Sequence, residues 1–357
     1  MKGRLLLFIC ISLVAINVNA QLKNYDFKYG KLFYKIINAE NKEVYVVAEK
    51  GKGKYTTKLE GDIDIPEKVA NEDGIEYDVV GIGKYAFYMC EGITNVTLPK
   101  SLKKINEKAF LGCHNLTTLN IPENVKSIGK WAFISCAKLK EINVDPNNAN
   151  YSSLNGALYN KDITKIIQCP CGKTGAFEIP ATVKEIGGQT FYGCMNLNEV
   201  TIPSGVEKIG NDGFYACVKL RNIICKIVVP LTGDAMGTEV FEQVSTASVG
   251  GNCVLYVPEG SVEAYSEAAQ WKNFSPNIKE ILSSEIKSNT FSTFKAKGGT
   301  GEIVILQEEK GKQIEIFDLY GKLVKTVKNN SPEFSIPFSK GVYIVKYSNH
   351  KMKVIVK

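Results

Sequence analysis

The chain has 357 residues, 44% hydrophobic and 23% charged, a composition that folds and excludes a disordered chain. Its formal charge of +7 is uneven: residues 285–357 carry 13 lysines against 7 acids, whereas residues 21–284 hold 29 basic and 30 acidic side chains. Arg221 is the only arginine after residue 20, so the body lacks the bidentate cations that read phosphates and bases, which excludes nucleic acid as the main partner.

In chain order, residues 1–20 read as a signal peptide. Lys2 and Arg4 precede the apolar run LLLFICISLVAI, and small residues end the segment at Ala20. That run is too short to span a bilayer, and no later stretch is apolar for long enough to be a transmembrane helix. The mature chain is therefore expected outside the cytoplasm, with no transmembrane segment. Residues 21–78 contain LFYKII, EVYVVAE, DIDIP and IEYDVVGIG. These predict strands of a β cap, which an open stack of repeats needs to cover its apolar end.

Residues 79–282 are dominated by one repeated phrase. IGKYAFYMC starts at Ile82, INEKAFLGC at Ile105, IGKWAFISC at Ile128, IGGQTFYGC at Ile186 and IGNDGFYAC at Ile209. Phe87, Phe110, Phe133, Phe191 and Phe214 follow at steps of 23, 23, 58 and 23. Each is followed three residues later by a cysteine: Cys90, Cys113, Cys136, Cys194 and Cys217. The phrase then runs into an alternating segment stopped by Pro or Asp, such as ITNVTLP or LTTLNIP, which predicts a short strand and a turn. One such unit cannot bury its apolar side alone. Stacked units can, with their strands pairing in parallel. On the return stretch, Val125 and Ile128 are expected to point inward.

The long step marks an insertion at 145–179. GALYN and ITKIIQC there predict a hairpin around Lys161 and Asp162. SVEAYSEAAQW predicts a short helix in a closing cap, with Ser261 as N-cap and Ala264, Tyr265 and Ala268 on one side. From residue 285, IVILQ, KQIEIFDLYG, KLVKTV, FSIP, GVYIVKYSN and KMKVIVK predict a separate small β-sandwich.

The IGxxAFxxCxxLxxVxIP frame, the NANYSSLNGALYNKD insertion and the LYVPEGSVEAYSEAAQW ending resemble the leucine-rich repeats of BspA-like surface proteins. The resemblance implies a mainly β fold, a leucine-rich-repeat solenoid of 23-residue repeats followed by the small β-sandwich. Thr190, Gly213 and Asn106 depart from the frame at packing positions. IEIFDLYGKLVKTV, KGVYIVKYSN and the terminal KVIVK resemble the C-terminal sorting domain of the type IX secretion system of Bacteroidota. That likeness implies a partner in the export machinery and a product that is secreted or attached to the outer-membrane surface. The BspA-like resemblance implies adhesion.

The chemistry-bearing residues are few. The cysteine column is expected to be free and buried, filling a tight corner, with a disulfide as the alternative. CPCGKTG, from Cys169 to Gly175, resembles a metal or phosphate motif but lacks the partner cysteines and the earlier glycine that either would need. The two histidines, His114 in a repeat and His350 in a terminal turn, have no metal-like spacing. No enzyme, cofactor or metal site is expected. The column Tyr88, Leu111, Ile134, Tyr192 and Tyr215 is expected to pack between coils. Binding is expected on outward strand positions: Thr94, Thr97, Thr118, Asn120, Glu141, Asn143, Glu199, Thr201 and Asn222. The expected ligand is an extracellular protein or glycan. A structural spacer without a ligand, or an exported hydrolase, remains the alternative.

Overall fold

The computed structural model of the protein describes residues 23–51, 55, 58–281, 294–298, 300–307, 313–318, 323–328, 331, 333–347 and 350–356. The expected signal peptide lies outside the described residues. The chain forms two compact units, Met1–Leu282 and Ser283–Lys357.

The first unit opens with β1 (Phe27–Tyr29), β2 (Leu32–Asn38) and β3 (Glu43–Val47), which pair antiparallel. Next come β4 (Gly61–Asp64), β5 (Lys68–Ala70) and β6 (Glu76–Ile82). Strand β6 lies parallel to β3, and from there the chain coils. Each coil supplies one longer and one two-residue strand: β7 (Ile93–Thr97) with β8 (Lys104–Ile105), then β9 (Thr118–Ile121) with β10 (Ser127–Ile128). The third coil begins at β11 (Glu141–Val144). Rungs pair in parallel one repeat apart, Ile128 with Ile105 and Ile142 with Leu119. The short strands extend the cap sheet in the order β1-β2-β3-β6-β8-β10, and the longer ones form a second sheet, β11-β9-β7-β4.

The insertion contains β12 (Tyr151–Leu154), β13 (Ala157–Asn160), β14 (Lys165–Gln168) and β15 (Gly175–Glu178). The hairpin around Lys161 joins β13 to β14, and β12 adds a third antiparallel strand that the sequence pattern does not announce. Coiling resumes with β16 (Glu185–Ile186), β17 (Leu197–Ile202), β18 (Lys208–Ile209), β19 (Asn222–Cys225), β20 (Val254–Val257), α1 (Val262–Glu267) and β21 (Ile278–Glu280). Two further sheets result, β12-β13-β14-β16-β18 and β15-β17-β19-β20-β21.

The insertion divides the core. Leu158 packs with the apolar cluster of the first coils, while its neighbours Ala157 and Tyr159 pack with the cluster of the later coils. Strand β13 is thus a wall whose alternating side chains serve opposite sides. Ile128 is only half-buried, contrary to expectation, because β10 is the last strand of its sheet. The free N–H of Ile128 is met at 3.0 Å by the hydroxyl of Tyr151 from the insertion.

The repeated Phe and Cys have one physical explanation. Phe87 and Phe110 stack at 5.0 Å and Phe110 and Phe133 at 6.0 Å; Phe191 and Phe214 stack at 4.8 Å. Three of the five thiols donate to the phenylalanine carbonyl one coil earlier: Cys113 to Phe87 at 3.0 Å, Cys136 to Phe110 at 3.2 Å and Cys217 to Phe191 at 3.1 Å. The ring fills the core, and the small weak donor beside it engages a buried carbonyl. All nine described cysteines are buried. The CPC stretch occupies the equivalent corner of the inserted coil: Cys171 donates to the Tyr192 carbonyl at 3.4 Å and Cys194 to the Cys169 carbonyl at 3.7 Å. The frame glycines are fixed by contact between coils. A Cβ on Gly129 would lie 2.3 Å from the Glu107 backbone nitrogen, and one on Gly210 would lie 2.4 Å from that of Gly188.

A sixth corner follows the five read from the sequence. Met236 bridges to Ile209, Phe241 stacks on Phe214 at 5.6 Å, and Val244 is buried three residues later, where the other copies have cysteine. Trp271 and Phe274 then close on Phe241 at 4.9 and 5.0 Å and end the ring column. In the closing helix Ser261 makes no capping bond; its hydroxyl donates instead to the Val228 carbonyl at 2.8 Å. Ala264 is exposed, while Tyr265 and Ala268 are buried. The helix is a single short segment whose one large residue, Tyr265, anchors it.

The second unit comprises β22 (Phe294–Gly298), β23 (Glu302–Gln307), β24 (Gln313–Asp318), β25 (Leu323–Lys328), β26 (Glu333–Pro337), β27 (Gly341–Tyr347) and β28 (His350–Val356). A three-stranded sheet, β22-β23-β26, and a four-stranded one, β25-β24-β27-β28, share a core that includes Ile303, Ile314, Ile336, Val345 and Val354. His350 begins β28 rather than lying in a turn.

Candidate functional site: the outward strand face

Alternation along the longer strands buries Val96, Leu119 and Ile142 and turns their neighbours to solvent. Register then makes columns of those neighbours. Asp62 pairs with Asn95 and Thr118 with Glu141; Asp64 pairs with Thr97 and Asn120 with Asn143. Val96 opposite Leu119 joins the two pairs of strands. Side chains bond along the columns: Asn143 Nδ2 donates to Asn120 Oδ1 at 3.2 Å, and Thr94 Oγ1 donates to Asp62 Oδ1 at 2.8 Å. Asn95, Thr97, Asn120, Asn143 and Asp145 line an open groove of about 340 Å³, whose floor includes Val96 and Leu98.

Thr94, Thr97, Thr118, Asn120, Glu141 and Asn143 therefore lie together on the β4–β11 sheet. Glu199, Thr201 and Asn222 lie on a different sheet, beyond the insertion. There Asn222 Nδ2 donates to Glu199 Oε2 at 3.1 Å, while Thr201 sits between Glu178 and Ile224. The nine positions form two patches rather than one continuous surface. Sequence reasoning missed Asp62 and Asp64 as members of the first. The signal was present, because GDIDIP has the frame of TNVTLP, but it precedes it by 33 residues instead of 23.

The thiols are poor nucleophiles. Burial pushes Cys90 and Cys253 up to about 12 and Cys225 up to about 11. Burial also raises Cys113 well above its usual range, and Cys171 and Cys194 are shifted first by hydrogen bonds with neighbouring cysteines and then by burial. These thiols are protonated at neutral pH, whereas nucleophilic or metal-binding cysteine requires the thiolate. Among the described residues no group of three or more His, Cys, Asp or Glu is arranged to hold a metal ion. Among the described residues His114 contacts one acid, Glu91 of the previous coil, at 3.5 Å. In the column after each phenylalanine, Tyr192 and Tyr215 stack between coils at 4.8 Å and Ile134 is buried, whereas Tyr88 and Leu111 are half-buried and Tyr88 meets Tyr85 of its own coil.

The family profile for the BspA type leucine-rich-repeat region matches residues 71–171 and 168–249 in six copies, half of the chain. The chain belongs to the BspA-type leucine-rich-repeat family. Residues 299–357 match the secretion system C-terminal sorting domain, which indicates a secreted or surface-attached leucine-rich-repeat protein that meets secretion machinery through its tail. The pneumococcal vaccine antigen PcpA is similar in structure, with 19% identity over 65% of this chain and 81% of that one, at a TM-score of 0.40. A leucine-rich repeat protein from Bacteroides ovatus has 20% identity over 72% of this chain and 68% of that one, also at 0.40. The T. pallidum leucine-rich repeat protein has 23% identity over 61% of this chain and 89% of that one, at 0.39. No curated protein matches the chain. Among the described residues no helix is long and apolar enough to cross a membrane.

Proposed function

We propose that this protein is a non-enzymatic surface adhesion module whose outward strand face binds an extracellular protein or glycan. In this reading, residues 1–20 are removed as a signal peptide and residues 21–78 cap the solenoid. Residues 79–282 carry the binding face, and residues 285–357 route the chain to the surface. The observation that carries the reading is the groove over β7, β9 and β11. Its inner residues repeat from coil to coil for packing, yet its outer ones change, from Thr97 to Asn120 and Asn143 on one column and from Thr118 to Glu141 on the next. Packing does not require such variety, and stacked strands turn it into an extended recognition surface. Amide and hydroxyl groups offer donors and acceptors together, which suits carbonyls and sugar hydroxyls alike.

The test is binding of the full chain to an array of extracellular proteins and glycans at physiological salt. A saturable ligand should lose about tenfold or more in affinity, some 1.4 kcal/mol, when Asn120→Lys and Asn143→Lys are combined. Thr201→Lys, on the other sheet, should leave it unchanged. Equal loss from both variants, or from neither, overturns the assignment to the first sheet.

A further inference from the structure

A second surface lies at the corners, away from the strand face. Two residues before each core phenylalanine the backbone turns left-handed: φ is 59° at Tyr85, 56° at Lys108, 61° at Trp131, 59° at Gln189, 55° at Asp212 and 52° at Glu239. Bulky side chains seldom adopt this conformation, and here it sends one side chain per coil outward in a single column. In the first three coils that column is Tyr85, Lys108, Trp131. The Lys108 ammonium lies 4.2 Å from the Trp131 ring centroid and 5.4 Å from that of Tyr85, and 3.3 Å from the Tyr85 hydroxyl. It is a lysine held between two aromatic rings. Glu107 contacts Lys108 at 3.4 Å and Lys84 at 2.8 Å. Lys130 is exposed and has no ion-pair partner among the described residues. Three lysines thus face one acid. Trp131 remains 38% exposed, an unusual position for an indole unless something covers it.

We propose that this cation–aromatic column binds an acidic polysaccharide lying along the solenoid axis. The rings recur along that axis at the rung spacing, about 10 Å for two coils; Lys84 and Lys108 lie over Tyr85 and Lys108 over Trp131, so a sugar ring would stack on the part of Trp131 that stays exposed. Lys130 would meet a carboxylate directly, and Lys84 would do so by exchanging its ion pair with Glu107. A peptide strand is disfavoured, because the corner N–H groups that strand addition would need are already used: Tyr85 donates to Glu107 O, Phe87 to Ala109 O and Lys108 to Lys130 O. The same column beyond the insertion reads Gln189, Asp212, Glu239, which would repel an acidic chain. The site is therefore confined to the first three coils.

The two tryptophans make the test direct, since Trp271 is buried in the closing cap and Trp131 alone can report contact. Full-length protein is titrated with oligogalacturonate, with neutral maltohexaose and with poly-glutamate, read by tryptophan emission and by calorimetry. Expected is saturable, salt-sensitive binding of oligogalacturonate alone, with a change in emission. Trp131→Ala should weaken it about tenfold, Lys130→Gln several-fold, and Trp131→Phe, which keeps a ring, little. Asn120→Lys with Asn143→Lys should leave it intact, which separates this site from the strand face. Equal binding of poly-glutamate would make it a site for acidic protein and overturn the glycan assignment. Absence of binding, or binding indifferent to both Trp131→Ala and Lys130→Gln, overturns the site itself.

Discussion

The coils before the insertion and those after it are built alike inside and differ outside. Phe87, Phe110 and Phe133 stack in the first set, Phe191, Phe214 and Phe241 in the second, and the thiol-to-carbonyl bond recurs in both. Outside, the first set presents Asp64, Thr97, Asn120 and Asn143 on one column, whereas the equivalent column of the second runs Glu178, Thr201, Ile224 and Tyr256. The corner column changes from Tyr-Lys-Trp to Gln-Asp-Glu. Interior positions must match the coil above and below, so one residue type propagates. Exterior positions meet the next coil only through polar contacts that many residue pairs can make, such as Asn143 to Asn120 or Asn222 to Glu199, and each half presents its own surface.

The largest effect should come from alkali, and it tests what the two interiors share. Eight of the nine described cysteines are raised above their ordinary value of 9.0. A raised value means that the folded chain keeps protons the unfolded chain loses. Stability is therefore complete below pH 9 and falls as pH rises toward the folded values, about 11 for Cys225 and about 12 for Cys90. Each thiol that ionises only on unfolding lowers stability by about 1.4 kcal/mol per pH unit, so a few titrating together remove an appreciable part of the roughly 5–15 kcal/mol that holds a domain folded. The urea midpoint should fall steeply between pH 9 and 11. A shallow decline would mean that the thiols are not held in a common dry core.

Smaller, and aimed at the wall between the halves, is loss of one ring from each stack. Phe110→Ala and Phe214→Ala should each cost about 3–5 kcal/mol. Because Leu158 and Tyr159 of β13 serve separate clusters, Phe110→Ala should reduce hydrogen-exchange protection in β7–β11 more than in β17–β19, and Phe214→Ala the reverse. Uniform loss from either variant would show that the insertion couples the halves instead of dividing them.

Legibility followed the same division. The five corners were plain because Ile, Phe and Cys recur in fixed register, and parallel stacking follows from units that cannot bury themselves. The sixth corner was hidden: methionine replaces isoleucine at 236, valine replaces cysteine at 244, and the step to Phe241 is 27 residues. Packing tolerates such exchanges, whereas a search for identical letters does not. At the strand face, alternation identified the outward residues, but not the break that leaves Thr201 on another sheet. The corner column was the least visible. Nothing in KY, EK and KW announces that a left-handed turn brings Tyr85, Lys108 and Trp131 into line.

The smallest expected effect concerns one hydroxyl in each core. Tyr34 in the first cluster and Tyr159 in the second are fully buried, and neither hydroxyl has a hydrogen-bond partner among the described residues. Burial raises both phenols far above their ordinary value of 10.0. An unpartnered buried donor costs about 1–3 kcal/mol, so removing the oxygen while keeping the ring should be neutral or stabilising. Tyr34→Phe and Tyr159→Phe should each raise stability by about 1 kcal/mol, read as a higher urea midpoint with an unchanged slope. The two positions differ in one respect that the measurement can exploit. Tyr34 lies in the cap, whereas Tyr159 lies on the dividing strand, where the chain changes from antiparallel hairpin back to parallel coil. If Tyr34→Phe stabilises and Tyr159→Phe destabilises, the second hydroxyl is engaged in solution, and the wall between the two cores is held by a polar contact as well as by packing.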